Sequence, residues 1–381
     1  GRRERDFSES ENYTKEQDGG VTSQWNGKGA DALGLQGNVS PSTFKDLLDG
    51  KLPDGQQLGR TTKDGQIEHA KGWDLTFSAP KSVSIMALVA GDKRLIEAHQ
   101  SAVKTALSFA EKQFVRTRVT ENGITRHEQT GNATFASFLH KTSRALDPQL
   151  HTHNPIMNAT LSKDGKWRSI DSSAIYENSM AIGGVYKMEL AALVKELGYE
   201  TEKGKHGNIE IKGVDKDLMD AFSKRRQEIL KAKEEYGYST AKGMDKAAVR
   251  TRSAKTDASP EQLNKTWQET AKDHVAQLKE TVTDSMKRAT QPIKSSAPPT
   301  PTLSVPLTKA IQNLSERNAS FTHTDLVKEV HRWTDGTASV STIEKTIDKA
   351  LAQKELFKGV VKGFGGYTTP QQFKLEQKIL R

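Results

Sequence analysis

Three histidines are spaced as metal ligands are. His151 and His153 are two residues apart, and on a β-strand residues i and i+2 share a face, which brings their imidazoles within reach of one ion. If residues 144–150 connect two paired antiparallel strands, His140 returns beside the pair and completes a three-nitrogen site. Three neutral imidazoles suit Mn²⁺, Zn²⁺, Co²⁺ or Ni²⁺ and leave positions open for a substrate oxygen, whereas Mg²⁺ suits such ligands least. A lone strand histidine is more often packing or surface; a His-x-His pair with a third upstream shifts the balance toward metal. His69, His99, His127, His206, His274, His323 and His331 are scattered and read as packing or surface. The chain has no cysteine, so thiolate sites, disulfides and cysteine nucleophiles are excluded.

Metal-bound imidazoles usually donate their second nitrogen to a carboxylate. Asp74, between Trp73 and Leu75 in an apolar strand, needs a counterpart because burying an unpaired carboxylate is expensive. It is either that orienting carboxylate or one half of a buried ion pair. Lys81 and Arg144 read as phosphate contacts or as solvated charges.

The elements that must hold these residues follow from periodicity. Trp73–Ser78 alternates as a strand, and Lys81–Ala90 continues it as a helix. Residues 93–115 place Leu95, Ile96, Val103, Leu107, Ala110 and Phe114 mostly on one helical face, which should cover a sheet. Val115–Thr120 and Ile124–Thr130 flank Asn122-Gly123, a hairpin signal because both residues tolerate positive φ. Ala133–His140, His151–Leu161 and Lys166–Ile170 read as further strands of an antiparallel meander, and helices are expected over 172–197, 215–235 and 259–288. The fold class is α+β, a central antiparallel sheet with flanking helices.

Prolines 292, 298, 299, 301 and 306 mark 290–306 as a semi-rigid linker. It divides a domain over 1–289, with a helical extension from about 215, from a small mainly helical unit over 307–381. That unit carries helices near 307–316, 324–333 and 341–353 and a glycine-rich hairpin over 356–368, a winged-helix-like pattern. With 57 Lys and Arg against 48 Asp and Glu, the net charge of +9 favours polyanionic ligands. Lys224, Arg225, Arg226, Lys231, Arg250 and Arg252 belong to a basic stretch over 224–255, which either closes over nucleic acid or is a solvated face. No run is long enough for a membrane span and the start lacks the apolar core of a signal peptide, so a soluble cytoplasmic protein without membrane insertion is expected.

Taken in order, Trp25-Asn26-Gly27-Lys28-Gly29-Ala30-Asp31-Ala32-Leu33-Gly34-Leu35, Asp74-Leu75-Thr76-Phe77-Ser78-Ala79-Pro80-Lys81-Ser82-Val83-Ser84, and Thr142-Ser143-Arg144 with Asp147-Pro148-Gln149-Leu150-His151-Thr152-His153 closely resemble the TraI/TrwC-type (MobF) conjugative relaxases of the HUH endonuclease superfamily. The resemblance spans about residues 6–290, and the C-terminal unit looks like the approach to the helicase part of such proteins. No Gly-x-x-x-x-Gly-Lys-Ser/Thr occurs, so the ATPase itself is not expected in this chain.

The resemblance implies a bacterial enzyme, a DNA strand transferase that binds single-stranded origin-of-transfer DNA. A tyrosine oxygen attacks the scissile phosphate, giving a 5′-phosphotyrosyl intermediate and a free 3′-OH. It implies one divalent metal ion on His140, His151 and His153, with Asp74 orienting histidine or helping to deprotonate the tyrosine. Relatives carry two tyrosine pairs after a leading strand; here Phe7 stands where a member of the first pair is expected. Tyr13, the sole tyrosine before Tyr176, is the candidate nucleophile by elimination. Accessory origin-binding proteins, a coupling ATPase and a type IV secretion system are the implied partners. The protein would act as a monomer and travel into the recipient cell with the transferred strand. The competing readings are a catalytically impaired or non-catalytic origin-binding module and an unrelated three-histidine metalloenzyme.

Overall fold

The structure, a computed structural model, describes residues 22–204, 207–237, 240, 243, 246–247, 251, 258–290, 303–334, 338–361 and 363–379. Along the chain, β1 (Thr22–Asn26) leads to α1 (Lys28–Ala32) and α2 (Pro41–Leu48). The short ribbon β2 (Arg60–Thr61) and β3 (Ile67–Glu68) precedes β4 (Gly72–Ser78), α3 (Lys81–Leu88) and α4 (Lys93–Phe114). Next come β5 (Arg116–Glu121), β6 (Ile124–Gln129), β7 (Phe135–Thr142), β8 (Pro148–Met157), β9 (Thr160–Leu161) and β10 (Trp167–Arg168). Then follow α5 (Ser173–Glu177), α6 (Ser179–Glu196), β11 (Thr201–Lys203), β12 (Ile209–Ile211), α7 (Lys216–Ala221), α8 (Lys224–Glu235), α9 (Pro260–Thr270) and α10 (Val275–Thr290). The C-terminal unit contains α11 (Ser304–Ser315), β13 (Phe321–Thr322), α12 (His323–Trp333), α13 (Val340–Ala352), β14 (Phe357–Val361), β15 (Phe364–Thr368) and α14 (Pro370–Ile379).

The central sheet has the order β1-β7-β8-β4 and is antiparallel throughout. Alternation sends Phe77, Phe135, Leu139 and Ile156 into the large core beneath α3, α4 and α6, while Ala136, Phe138 and Met157 meet Trp25, Phe44 and Leu47 in a smaller one. His140, His151 and His153 share the parity of the smaller core, so the helices around α2 cover part of the histidine-bearing face. α1 reaches the sheet because Gly29 lacks a side chain: its N–H donates to Ala133 O at 2.9 Å, and a Cβ there would lie 2.6 Å from the Ala133 carbonyl carbon.

The helix over 93–115 and the hairpin about Asn122-Gly123, with φ of 51° and 77°, form as the sequence predicts. Five expectations are corrected. The strands do not run as a meander: β5 and β6 form a separate two-stranded hairpin, with one isolated bridge from Thr117 to Ile170, and β1 and β4 flank the β7–β8 pair from distant positions. The helix expected over 172–197 breaks at Asn178, that over 215–235 at Phe222-Ser223, and that over 259–288 between Thr270 and Val275. In each case apolar periodicity continues across a turn that backbone hydrogen bonds close locally, such as Ser223 N to Asp220 O and His274 N to Ala271 O. Finally, Pro306 belongs to the first turn of α11 rather than to a linker, where its missing N–H has no helical acceptor to lose. The core of the expected linker, 291–302, lies outside the described residues. No helix among the described residues is long and apolar enough to cross a membrane.

The C-terminal helices pack with a three-stranded β13-β15-β14 sheet and join the large core through Leu307, Phe321, Val340 and Ile343. Glu189, buried on α6, accepts hydrogen bonds from the backbone N–H of Val340 at 2.5 Å and Ser341 at 3.3 Å, capping the N-terminus of α13. Lys112 on α4 pairs with Glu344 at 3.2 Å.

Candidate metal and strand-transfer site

β7 and β8 pair with His140 directly opposite His151 and Phe138 opposite His153. The three imidazoles form a near-equilateral cluster, with ring centroids 5.3 Å apart for His140–His151 and His140–His153, and 5.2 Å for His151–His153. Rings pointing their nitrogens at one ion with bonds of about 2.1 Å in tetrahedral array would have centroids about 5 Å apart; the centroids have that spacing, but among the described residues no group of His, Asp or Glu is already arranged to hold a metal ion.

Two of the ring nitrogens have hydrogen-bond partners. His153 Nδ1 lies 2.7 Å from Asp74 Oδ2, and His151 Nδ1 lies 2.9 Å from the Gln149 carbonyl oxygen. Both contacts favour the tautomer that leaves Nε2 for a ligand. Asp74 has no exposed side-chain surface. It also accepts from the Thr76 hydroxyl at 3.0 Å and from Asn154 N–H at 3.1 Å. Asp74 therefore orients His153 and is itself held by three donors. Thr76, opposite His153 on β4 and 3.1 Å from its Nδ1, was missed in the sequence, although its i+2 relation to Asp74 put it on the same face.

A second missed residue lies behind the ligands. His99, fully buried on α4, bridges the Tyr186 hydroxyl and the Thr152 hydroxyl, each at 2.8 Å. Thr152 stands between His151 and His153 with its side chain on the opposite face of the sheet. Burial pushes the His99 pKa down to about 3, helped by His151, so this imidazole is neutral at ordinary pH. No sequence signal separates it from an ordinary core histidine.

The expected phosphate contacts are placed unequally. Lys81, at the start of α3, donates to Pro148 O at 2.9 Å. Burial lowers its pKa to about 8 while Asp147 and Glu210 oppose that shift. It ties α3 to the first residue of β8 and stands beside the ligand strand rather than on an open surface. Arg144 is half-buried in the loop between β7 and β8. That loop is fastened from the helical extension: Trp267 Nε1 donates to Leu146 O at 2.8 Å, and Arg225 N–H approaches the buried Asp147 carboxylate at 3.3 Å. The Arg225 guanidinium turns to Thr251 O at 2.8 Å and Glu228 at 3.0 Å, whereas Lys224 and Arg226 are exposed on α8. Tyr13, Arg250 and Arg252 lie outside the described residues.

The sequence model of the TrwC relaxase family matches residues 2–274. The chain belongs to the TrwC relaxase family. The chain is 38% identical over 352 residues to the multifunctional conjugation protein TraI of Escherichia coli; the match covers 89% of this chain and 20% of that protein, so the chain spans about a fifth of its curated relatives' length. The same identity and coverage hold for TraI of strain K12. Among solved structures, the conjugative relaxase TrwC with oriT DNA and copper superposes with a TM-score of 0.65 at 38% identity, covering 71% of this chain and 95% of that one. TrwC with a 27-mer DNA comprising the recognition hairpin and the cleavage site gives a TM-score of 0.63 at 40% identity, covering 66% and 91%.

Proposed function

We propose that this relaxase binds single-stranded origin-of-transfer DNA and cleaves and rejoins it by tyrosine transesterification assisted by one divalent cation. The observation that carries the reading is the His140/His151/His153 cluster with Asp74 behind His153. These three imidazoles would hold the ion, and a bound ion would polarise the scissile phosphate and offset the charge developing on it. The contacts of Asp74 and the Gln149 carbonyl support this reading, because each would hold an imidazole in the tautomer a ligand needs, with the rings turning to close on the ion.

Tyr13 is the proposed nucleophile. Its oxygen forms the bond to phosphorus as the bond to the 3′-oxygen breaks; the phenolic proton is lost, and the leaving oxygen gains one to become the 3′-OH. The phosphotyrosyl ester keeps the phosphodiester bond energy, so the strand can be resealed without ATP. Because three donors already engage the Asp74 carboxylate, its geometry favours orienting His153 over taking the tyrosine proton. Lys224 and Arg226, with Arg250 and Arg252, are the proposed backbone contacts of the basic stretch, and Lys81 and Arg144 support the approach beside β8. Accessory origin-binding proteins, a coupling ATPase and a type IV secretion channel are proposed partners of a monomeric, cytoplasmic protein.

The test is a denaturing gel of the chain with end-labelled origin oligonucleotides, with Mn²⁺, with EDTA and after Tyr13→Phe. A metal-dependent protein–DNA adduct lost in Tyr13→Phe is expected. Tight binding without an adduct on any origin sequence would replace this reading with that of a non-catalytic origin-binding module.

A further inference from the structure

Beyond the histidine cluster, a cavity of about 510 Å³ opens at the edge strand β4. Trp73 lines it, and because Trp73 and Asp74 are consecutive in β4 their side chains leave on opposite faces, so the cavity is separate from the metal ligands. Its floor is fixed by Asn158, which donates to Ala70 O and accepts from Ile170 N–H, both at 2.9 Å.

The lining has the chemistry of a nucleotide site. Trp73 and Tyr176 offer aromatic faces, and Tyr176 is 46% exposed. Arg60 on β2 and Arg118 on β5 line the same cavity, and neither makes an ion pair among the described residues. His69 presents two ring nitrogens that are shielded from solvent and have no hydrogen-bond partner. Burial lowers the His69 pKa against the pull of Asp49, leaving a neutral imidazole able to bond a base edge. Two carboxylates also line the cavity. Asp171 is already tied to Arg116 at 3.2 Å and His127 at 3.0 Å, while Glu68 remains on β3. The surplus positive charge therefore matches a singly charged phosphodiester better than a di- or triphosphate.

We infer that this cavity receives one nucleotide unit of the bound DNA strand, its base against Trp73 and Tyr176 and its phosphodiester between Arg60 and Arg118. The inference rests on the strand-transfer reading above and adds a second point of attachment to it. Among the described residues β4 pairs only with β8, so a DNA strand passing β4 can reach both the histidine face and this cavity.

The experiment uses the full chain in EDTA with fluorescein-labelled oligo(dT), followed by anisotropy across a salt series. Base stacking of this kind predicts about tenfold weaker binding for Tyr176→Ala. The Arg60→Gln/Arg118→Gln pair should weaken binding and lower the slope of log affinity against log salt by about 0.7 per arginine. Unchanged affinity and slope in both variants, or an equal loss in the distant surface variant Lys349→Gln, would overturn the cavity assignment while leaving the relaxase reading intact. Failure of the parent to form an adduct would instead overturn that reading. Saturable binding of free dTMP abolished by the arginine pair would reassign the cavity to a mononucleotide rather than a strand.

Discussion

The Asp74–His153 contact is where one residue most directly sets another's chemistry. An aspartate with no exposed side-chain surface, 2.7 Å from Nδ1, fixes the tautomer and orientation of the imidazole. Asp74→Asn keeps the shape but removes the charge. The expected outcome is metal affinity lower by about 10- to 100-fold, read by titration calorimetry with Mn²⁺ or Ni²⁺. His99 offers a different residue-scale test. Its pKa is about 3 in the folded chain, well below the ordinary 6.5. The unfolded chain therefore takes up a proton that the folded chain refuses, and the associated stability, present above pH 6.5, is lost as pH falls toward 3. His99→Gln should flatten that limb when unfolding midpoints of parent and variant are compared between pH 7 and 4. An unchanged difference across the window would show that His99 does not carry it.

At the scale of elements, the loop between β7 and β8 is the vulnerable piece, because it joins two ligand strands and contains Leu146 at a φ of 60°. A non-glycine residue in that region is held by its surroundings. Here they are the Ser143 hydroxyl, which accepts from Ala145 and Asp147 N–H at 3.2 Å each, and Trp267 on α9. Trp267→Phe removes one hydrogen bond while keeping most of the apolar contact, a stability cost of about 1 kcal/mol. It should also weaken metal binding measurably although Trp267 touches no ligand. Unaltered metal affinity in this variant would show that the clamp from the extension is purely structural.

Across the whole molecule, the C-terminal unit is joined to the large core by a polar cap as well as by apolar contact. Glu189 is 2% exposed and satisfies the first N–H groups of α13; a leucine there would leave those donors buried and unmet, a loss of about 1–3 kcal/mol for each. Glu189→Leu is expected to lower the thermal midpoint and to split a single calorimetric transition into two as the units uncouple. One transition with an unshifted midpoint would show that apolar packing alone fastens the unit.

Local chemistry wrote much of this into the sequence. His-x-His on a strand must share a face, Asn122-Gly123 must turn, and residues 93–115 must bury one side, because each follows from backbone period and steric allowance alone. The α+β class was legible for the same reason; for Asp74 the sequence asked only for a partner, because an apolar strand would bury the carboxylate, and left open whether that partner is a histidine or a cationic side chain. The breaks at Asn178, Phe222-Ser223 and 271–274 were not, since apolar spacing persists through them and only tertiary neighbours select the turn. Nor was the sheet order: β1 and β4 reach the β7–β8 pair from distant sequence positions, and strand adjacency over such distances is decided by which faces bury together. The same holds for His99 beneath Thr152, Trp267 on the ligand loop and the cavity beside Trp73. Each is a meeting of side chains that no local period specifies.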